Sequence, residues 1–400
     1  MNVVPVSYRA KKLAIHIGAR AGSRVASMLD RQNSSRFPIS QRKCTSGSLG
    51  CLGATLPAQG SVCFFTGSPI HGPAIGDIVD ADSAARLFPG YDGAFTGVFW
   101  DAQRNILVVA TDCLGMQPLY MRHAEDGLTL TTDTKAVTGD PDLAGWGAFI
   151  SIGHPIGERS LMNGLQHVPP ASILIYDCAE RRLTVRQYWH WPDPSEAWRR
   201  HDFLASPEHD ISAYAAFGDP GTVLLSGGFD SRLLLLLLKR LQIPVDALIV
   251  AHEDEIDDAD GRLAEKVAAA ADVPFQKAHP HPDFFSTSQY IDYLNASDVG
   301  YPSLDLFIAK VAPQINATSV WEGLIPAVAF NTPHQLPGGF EAYQRHEIRG
   351  ADSAVWRAAK TLFTPDAAEA MMQGFSDDLR NEIARLPQDM FGVQQFIVQH

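Results

Sequence analysis

Cysteine is scarce in this sequence, and its positions form no pattern. The cysteines are odd in number, five, and no two of them are spaced as C-x-x-C. A disulfide framework or a cysteine-ligated zinc site is therefore not indicated, and a reducing cytoplasm is the expected location. The cysteines are Cys44, Cys51, Cys63, Cys113 and Cys178.

Long apolar runs and an excess of positive charge are also absent. No apolar run reaches about 18 residues, the length that a transmembrane helix needs, so we expect no membrane partner. The net charge of −13 argues against a nucleic-acid partner, whose phosphates require a basic surface. With 400 residues, of which 46% are hydrophobic, the chain can form two or three globular domains.

The first fifty residues differ in composition from the rest. They contain nine Lys or Arg residues, several serines and a single acidic residue, Asp30. This composition overlaps with that of organelle transit peptides, and it fits a flexible N-terminal extension as well. We predict a basic extension over residues 1–55 that could be disordered.

From about residue 60, short β-like segments alternate with turn signals. Their spacing predicts a largely antiparallel sheet domain. The predicted strands are Ser61–Phe65, Ala94–Trp100, Ile106–Thr111, Leu128–Thr132, Ile173–Asp177 and Leu183–Tyr188.

The most informative segment is a glycine-containing loop within the string GTVLLSGGFDSR at residues 221–232. The apolar residues Val223–Leu225 predict a buried parallel strand, the two glycines a sharp turn, and Leu233–Leu238 a helix. Backbone N–H groups at the start of that helix, with the hydroxyls of Ser226 and Ser231, can surround an anion. The sequence therefore predicts a phosphate-binding loop.

Asp230 lies inside this loop, where a carboxylate cannot usefully approach bare phosphate. It makes sense as a ligand of a Mg²⁺ that bridges to phosphate oxygens. A Gly-Gly turn with Asp230 as a helix N-cap is the structural alternative. A Walker A loop is excluded because no lysine follows the glycines.

The string Ser226–Ser231 resembles the S-G-G-x-D-S pyrophosphate loop of the N-type ATP pyrophosphatases. Members of that group cleave ATP between the α and β phosphates and activate a carboxylate as an adenylate. The resemblance implies ATP and Mg²⁺, with Asp230 as the catalytic and metal-binding residue. The nucleotide-binding residues that it implies are Leu225, Ser226, Gly227, Gly228, Asp230 and Ser231.

A strand and a helix are predicted after the loop, at Pro244–Ala251 and Ala259–Asp272. Such alternation favours a parallel sheet that binds ligands at the carboxyl ends of its strands. By the same resemblance, the backbone of Val250 and Ala251 contacts the adenine. The acidic run from Glu253 to Asp260 is interpreted as a solvated loop with a helix N-cap.

A second resemblance lies before the loop. Gly93–Tyr120 and Asp126–Val137 resemble the motif "G-x-F-A-F-x-x-W-D … R-D-x-x-G-x-x-P-L-Y … F-x-S-E-x-K-A-L" of class II glutamine amidotransferase domains. Gly153–Tyr176 and the pair Tyr188-Trp189 resemble the end of that domain in asparagine synthetases. The chain is thus identified as a member of the asparagine synthetase superfamily, which includes β-lactam synthetases and lasso-peptide cyclases.

The resemblance implies a fold of class α/β and α+β with two domains. The first, over residues 56–195, is an Ntn-hydrolase-like β-rich sandwich related to glutamine amidotransferases. The second, over residues 196–400, is a parallel-sheet domain like the adenine nucleotide α-hydrolases. We expect this second domain to be truncated, because family members continue further, through a helical region with a lysine that stabilises pyrophosphate. Lys310 and Lys360 are the nearest candidates for that role.

Two further departures concern catalysis. The family's glutaminase uses an N-terminal cysteine, whereas this chain begins Met1-Asn2-Val3, and Thr111 replaces the motif arginine beside Asp112. Cys51 would become terminal only by proteolysis, so we expect a glutaminase relic.

The other departure is in the second half. At residues 319–330 the family has a glycine-rich segment with a second Mg²⁺-binding Asp. This chain keeps Gly323, and either Glu322 replaces that metal ligand or one metal is bound weakly or not at all.

The predicted function is ATP-dependent amide formation, in which a small-molecule or peptide carboxylate is adenylated and transferred to an amine or ammonia. Asparagine biosynthesis is one form of this reaction. A lasso-peptide or β-lactam-type cyclase and a catalytically impaired nucleotide-binding homologue are the alternatives, and a homodimer is left open. A polar cluster at residues 341–347 is interpreted as an exposed face rather than a general base, and His279 and His281 as a turn rather than a metal site.

Overall fold

Two separate units divide the chain. The computed structural model describes residues 9–33, 37–191, 202–216, 221–251, 258–296, 304–317, 319–323 and 348–387. One unit comprises Met1–Pro192, Asn295–Tyr301 and Gly338–His400, and the other comprises Asp193–Leu294 and Pro302–Pro337. We call them the first and the second unit.

The first unit contains two six-stranded sheets. One has the strand order β1-β5-β6-β7-β11-β12 and the other the order β10-β8-β9-β2-β4-β3. Nearly all neighbouring strands pair antiparallel, the pair of β1 and β5 being parallel. The strands are β1 (Arg9–Ala10), β2 (Lys12–Gly18), β3 (Ile39–Lys43), β4 (Gly47–Leu52), β5 (Val62–Pro69), β6 (Gly93–Asp101), β7 (Ile106–Thr111), β8 (Tyr120–Ala124), β9 (Gly127–Thr131), β10 (Gln166–His167), β11 (Ser172–Asp177) and β12 (Arg182–Gln187).

Alternation of side chains along the strands builds the layers of this unit. In β5, Val62 and Phe64 join the core between the two sheets, whereas Phe65 faces the other side of its sheet. That outer side is covered by helix α2 (Ala81–Leu87), and the outer side of the second sheet by helix α1 (Ala21–Gln32). The predicted Ntn-hydrolase-like β-rich sandwich is confirmed as a helix–sheet–sheet–helix arrangement.

The N-terminal segment belongs to this sandwich, so the prediction of a disordered extension is wrong for residues 9–33 and 37–55. Strand β2 lies inside the second sheet, and Leu13 and Ile15 are fully buried. Helix α1 buries Val25 and Leu29 one turn apart, which leaves its basic residues on the opposite, more exposed face. The basic residues dominate the composition, but the periodicity of the apolar residues decides the structure.

The second unit has a four-stranded parallel sheet of order β15-β14-β13-β16. Its strands and helices alternate along the chain, as predicted. The elements are helix α4 (Asp202–Ala215), β13 (Gly221–Leu224), α5 (Phe229–Arg240), β14 (Val245–Val250), α6 (Ala259–Ala270), β15 (Phe275–Ala278), α7 (Ser288–Ala296), α8 (Leu304–Val311) and β16 (Val320–Trp321).

The three remaining α-helices among the described residues belong to the first unit. They are α3 (Leu143–Ile152), α9 (Ala354–Leu362) and α10 (Pro365–Arg385). Helices α3 and α10 pack so closely that a Cβ on Gly147 would lie 2.0 Å from the carbonyl oxygen of Met371. Arg159 forms ion pairs with Asp142 at 2.9 Å and with Asp378 on α10 at 2.5 Å.

These contacts differ from the predicted domain boundaries, which assigned all of residues 196–400 to the second domain. The described residues 348–387 lie with the first unit, because the apolar face of α10 packs on α3.

Among the residues that the structure describes, no helix has both the length and the apolar composition of a membrane span.

Candidate functional site

The predicted phosphate loop joins β13 to α5. The strand ends at Leu224, and the helix begins at Phe229 with Gly228 as its N-cap. The backbone N–H of Leu225 donates to the carbonyl oxygen of Leu248 at 2.9 Å, which anchors the start of the loop to β14. Asp230 lies in the first helical turn but is not the N-cap, so the capping alternative is not realised.

The two serine hydroxyls of the loop lie together at the start of α5. Their Oγ atoms are 3.1 Å apart, and the backbone N–H of Ser226 donates to Ser231 Oγ at 3.1 Å. The N–H of Gly228 donates to Ser226 Oγ at 3.1 Å. Two hydroxyls and two backbone N–H groups therefore lie together at the start of α5, bonded to one another, in a region where an anion is favoured by the helix N-terminus.

The loop opens onto a cavity of about 280 Å³ at the carboxyl ends of β13, β14 and β16. This edge of a parallel sheet is where ligands bind in open α/β folds. The cavity combines hydroxyl, carboxylate and aliphatic walls. It is lined by Leu224, Leu225, Ser226, Gly228, Asp230, Ser231, Leu248, Ile249, Val250, Glu322 and Gly323.

Eight of the ten predicted site residues line this cavity, and two do not. Gly227 instead faces α6, where a Cβ would lie 2.6 Å from Asp260 Oδ1. Ala251 is buried, and its N–H donates to the carbonyl oxygen of Ala278 at 2.7 Å. The cavity thus unites segments that are about a hundred residues apart in the sequence.

Gly323 contacts the backbone of the loop directly. A Cβ at this position would lie 2.7 Å from the Ser231 nitrogen and 2.8 Å from the Asp230 carbonyl carbon. Since real Cβ atoms do not approach so closely, the contact admits no side chain. Glu322, the residue before it, lines the same cavity as Asp230.

These residues fit the Mg²⁺ that the resemblance implies. Mg²⁺ is usually bound by one or two carboxylates together with phosphate oxygens, and Asp230 and Glu322 are two carboxylates in one cavity. The neighbouring serines and amides are suited to the phosphates themselves. The set of donors therefore matches a magnesium-bound polyphosphate.

Two residues beside the cavity were not predicted. Phe229 is 82% exposed, and the guanidinium carbon of Arg232 lies 4.5 Å from the centre of its ring. Arg232 Nε donates to the Gly228 carbonyl oxygen at 2.9 Å. The sequence placed Phe229 in the predicted loop and Arg232 just before the predicted helix, without a role for either side chain. The hydrogen bond from Arg232 to Gly228 marks both residues as neighbours of the site.

The cysteines do not provide an activated thiol. Cys51 is fully buried in β4, and burial raises its pKa to about 12. Burial likewise raises the pKa of Cys63 and Cys178 to about 12 and that of Cys44 to about 11, and it raises the pKa of Cys113. A nucleophilic cysteine needs a lowered pKa, so none of these thiols is set up for attack.

Thr111 and Asp112, at the departure from the amidotransferase motif, hold a turn together. The Asp112 carboxylate accepts backbone N–H groups from Phe95 at 3.1 Å and from Gln117 at 2.9 Å. Thr111 Oγ1 donates to the Pro169 carbonyl oxygen at 2.9 Å. Both side chains have structural partners, which accounts for their burial without a catalytic role.

Other predicted residues lie elsewhere. Asp258 is the N-cap of α6, accepting from the Gly261 N–H at 2.8 Å, while residues 252–257 of the acidic run and residues 341–347 are outside the described residues. His281 Nδ1 accepts from the Asp283 N–H at 3.0 Å within a turn. Lys360 lies on α9 in the first unit, and Lys310 lies 5.2 Å from the Phe285 ring in the second.

Comparisons with known proteins gave a family-model match and a distant curated relative. Residues 83–189 match the family model described as a glutamine amidotransferase domain. Over 151 residues, the chain is 22% identical to "Asparagine synthetase [glutamine-hydrolyzing] 3" of Bacillus subtilis (strain 168). That match covers 35% of this chain and 24% of the relative, so the chain spans about a quarter of the relative's length.

Two solved structures are more distant. The glutamine phosphoribosylpyrophosphate amidotransferase from B. subtilis, complexed with ADP and GMP, has a TM-score of 0.31 and 10% identity over 71% of this chain and 70% of its own. A structure titled as the allosteric regulatory enzyme of purine biosynthesis has the same TM-score, 0.31, and 10% identity over 79% of this chain and 98% of its own. The family-model match and the curated relative support a relationship to the asparagine synthetase superfamily, with a glutamine amidotransferase domain over residues 83–189.

Proposed function

We propose that this protein is an ATP-dependent amide-forming ligase that adenylates a carboxylate and transfers the acyl group to an amine or to ammonia. The observation that carries the proposal is the single cavity in which eight predicted loop and strand-end residues meet. Its hydroxyl and amide groups can form hydrogen bonds with phosphates, and its aliphatic residues can pack against the adenine ring. A turn with no ligand would not need this convergence.

The cavity offers separate surfaces for the parts of ATP. Ser226, Gly228 and Ser231 would bind the outer phosphates, since their hydroxyls and N–H groups lie together at the positive end of α5. Leu248 and Val250 offer an apolar wall for the adenine. Gly227 and Ala251, predicted to bind nucleotide, do not line the cavity and would act through the loop and strand backbone.

Asp230 and Glu322 would hold Mg²⁺, which when bound neutralises phosphate charge. In the reaction, a carboxylate oxygen attacks the α-phosphorus, the bond to the bridging oxygen breaks, and pyrophosphate leaves. The nitrogen of an amine or ammonia then attacks the acyl carbon and displaces AMP. The role of this chain's residues is to fix the phosphates in line and to stabilise the charge on the departing group.

The amidotransferase-like domain would not hydrolyse glutamine. All five thiols are buried or partly buried with raised pKa values, so none is prepared to attack an amide. We therefore propose that nitrogen comes from free ammonia or from an amine of the substrate. The cytoplasmic location and the homodimer remain predictions.

The test is ATP/pyrophosphate exchange with a panel of carboxylates, each run with ammonia, with glutamine and with no nitrogen source. Asp230→Ala should abolish exchange while the fold is retained, because the variant lacks the carboxylate nearest the phosphates. Glu265→Ala is the matched control, since Glu265 is an exposed carboxylate on α6. Retained exchange in Asp230→Ala would remove Asp230 from the mechanism.

The same panel separates the alternatives. Aspartate-dependent AMP release with ammonia would indicate asparagine synthesis. Release that needs a substrate carrying its own amine would indicate a lasso-peptide or β-lactam-type cyclase. ATP binding without pyrophosphate release from any carboxylate would indicate a catalytically impaired homologue.

A further inference from the structure

Arg232 lies one turn into α5, but its side chain turns back towards the phosphate loop. Its Nε donates to the carbonyl oxygen of Gly228 at 2.9 Å, and Gly228 lines the cavity. The guanidinium carbon also lies 4.5 Å from the centre of the Phe229 ring. Arg232 does not itself line the cavity, but these two contacts hold its guanidinium against Gly228, which does.

This charge is not neutralised by a carboxylate of the described part of the second unit, because Arg232 takes part in none of the ion pairs found there. Two other cations of that unit form ion pairs. Lys277 pairs with Asp258 at 2.5 Å, and Arg240 pairs with Glu208 at 3.2 Å. A guanidinium has five N–H donors, and the contact with Gly228 uses only one of them.

Phe229 is exposed, and the face of its ring contacts the guanidinium of Arg232. A side chain that is 82% exposed contributes little hydrophobic stabilisation, but the face of an aromatic ring attracts a cation such as the guanidinium. A fixed guanidinium loses less rotamer entropy when it binds an anion than a free one. The ring therefore prepares the arginine for a ligand beside the loop.

We propose that Arg232 is a catalytic residue that contacts the pyrophosphate and stabilises the negative charge that develops on it as the α–β phosphate bond breaks. The electron pair of that bond stays on the bridging oxygen of the leaving pyrophosphate, and the guanidinium compensates this charge. The inference rests on the proposed function and adds a residue to its site.

The first experiment compares Arg232→Gln with the native protein in ATP/pyrophosphate exchange. Removal of a preorganised donor from developing charge costs about 100-fold or more in kcat, and we expect a loss of that size with a small change in the KM for ATP. Arg232→Lys keeps the charge and should recover part of the rate. Arg240→Gln at the other end of α5 is the matched control and should stay near the native rate.

The kinetic pattern decides between a catalytic role and a structural one. A raised KM for ATP with unchanged kcat in Arg232→Gln would overturn the proposal, because the arginine would then only shape the loop. Equal rates in the Gln and Lys variants would also overturn it, since the charge would not matter. Phe229→Leu should lower kcat less than Arg232→Gln, as the guanidinium loses only its stacking partner.

A binding measurement keeps this inference distinct from the proposed function. Native protein that gives no exchange with any carboxylate contradicts the proposed function. Titration calorimetry with magnesium pyrophosphate then still tests Arg232. We expect the Gln variant to bind pyrophosphate at least about tenfold more weakly. A tenfold change in Kd corresponds to about 1.4 kcal/mol, and a hydrogen bond to a charged group contributes about this much or more. Equal affinity of native and variant protein would refute the role of Arg232.

Discussion

Replacing Gly323 by alanine should weaken nucleotide binding without unfolding the protein. The new Cβ would lie 2.7 Å from the nitrogen of Ser231 and 2.8 Å from the carbonyl carbon of Asp230. These are backbone atoms at the start of α5, so no side-chain rotation can relieve the contact. The first turn of the helix must move, and with it the hydroxyl and the carboxylate residue that the cavity presents.

The size of the effect follows from the cost of overpacking. Inserting one carbon into a tight backbone contact costs about 1–3 kcal/mol. If the loop must return to its native position to bind phosphates, the free energy of binding becomes less favourable by the same amount. This corresponds to a rise in Kd of about 5- to 150-fold.

The assay is titration calorimetry with magnesium ATP, accompanied by thermal unfolding of each variant. Gly350→Ala is the matched control, because a Cβ at Gly350 would meet no atom within 4 Å. We expect native affinity in the control and weakened affinity in Gly323→Ala, with similar Tm values. An unchanged Kd for Gly323→Ala would refute the reasoning, since it would mean that the loop does not need its present position to bind ATP.

Two further predictions concern the first unit. Burial and the neighbouring Arg24 lower the pKa of His16, so the folded state resists protonation of this residue. The free energy of unfolding should therefore be kept above about pH 6.5 and fall as the pH drops below that value. Thermal unfolding at several pH values should show a shallower dependence of Tm on pH in His16→Gln. Gly147→Ala should destabilise the unit by about 1–3 kcal/mol despite the better helix propensity of alanine, because its Cβ would lie 2.0 Å from the Met371 carbonyl oxygen. Limited proteolysis should then cut α9 and α10 sooner than in a Gly76→Ala control, whose new Cβ meets no atom within 4 Å, and equal cleavage would contradict the close packing.

The elements of the second unit could be predicted because local patterns decide them. The run Val223–Leu225, two glycines and the apolar helix after them need no distant contact to be recognised, and the structure places the strand and the helix there. The strand Pro244–Ala251 follows from its branched apolar residues in the same way. The convergence of Val250 and Gly323 on the loop followed only from the family resemblance.

What could not be predicted depends on long-range packing or on side-chain direction. Strand β2 has only seven residues among many charged ones, and its position inside a sheet is visible only once β4 and β9 are paired with it. The apolar face of α10 predicts a helix, but nothing local says that its partner is α3. Arg232 was missed because its helical position gives no sign that the side chain turns back towards Gly228.

The first unit is assembled from stretches of chain that are not consecutive. Its sandwich is encoded before residue 192, whereas α9 and α10 follow the whole second unit. A ribosome therefore releases the sandwich strands and α3 long before the helices that cover α3 have been synthesised. During that interval the small-residue surface around Gly147 has no cover, and a nascent chain is open to wrong pairing at this place. Correct folding of the first unit thus waits for translation to pass through the second unit.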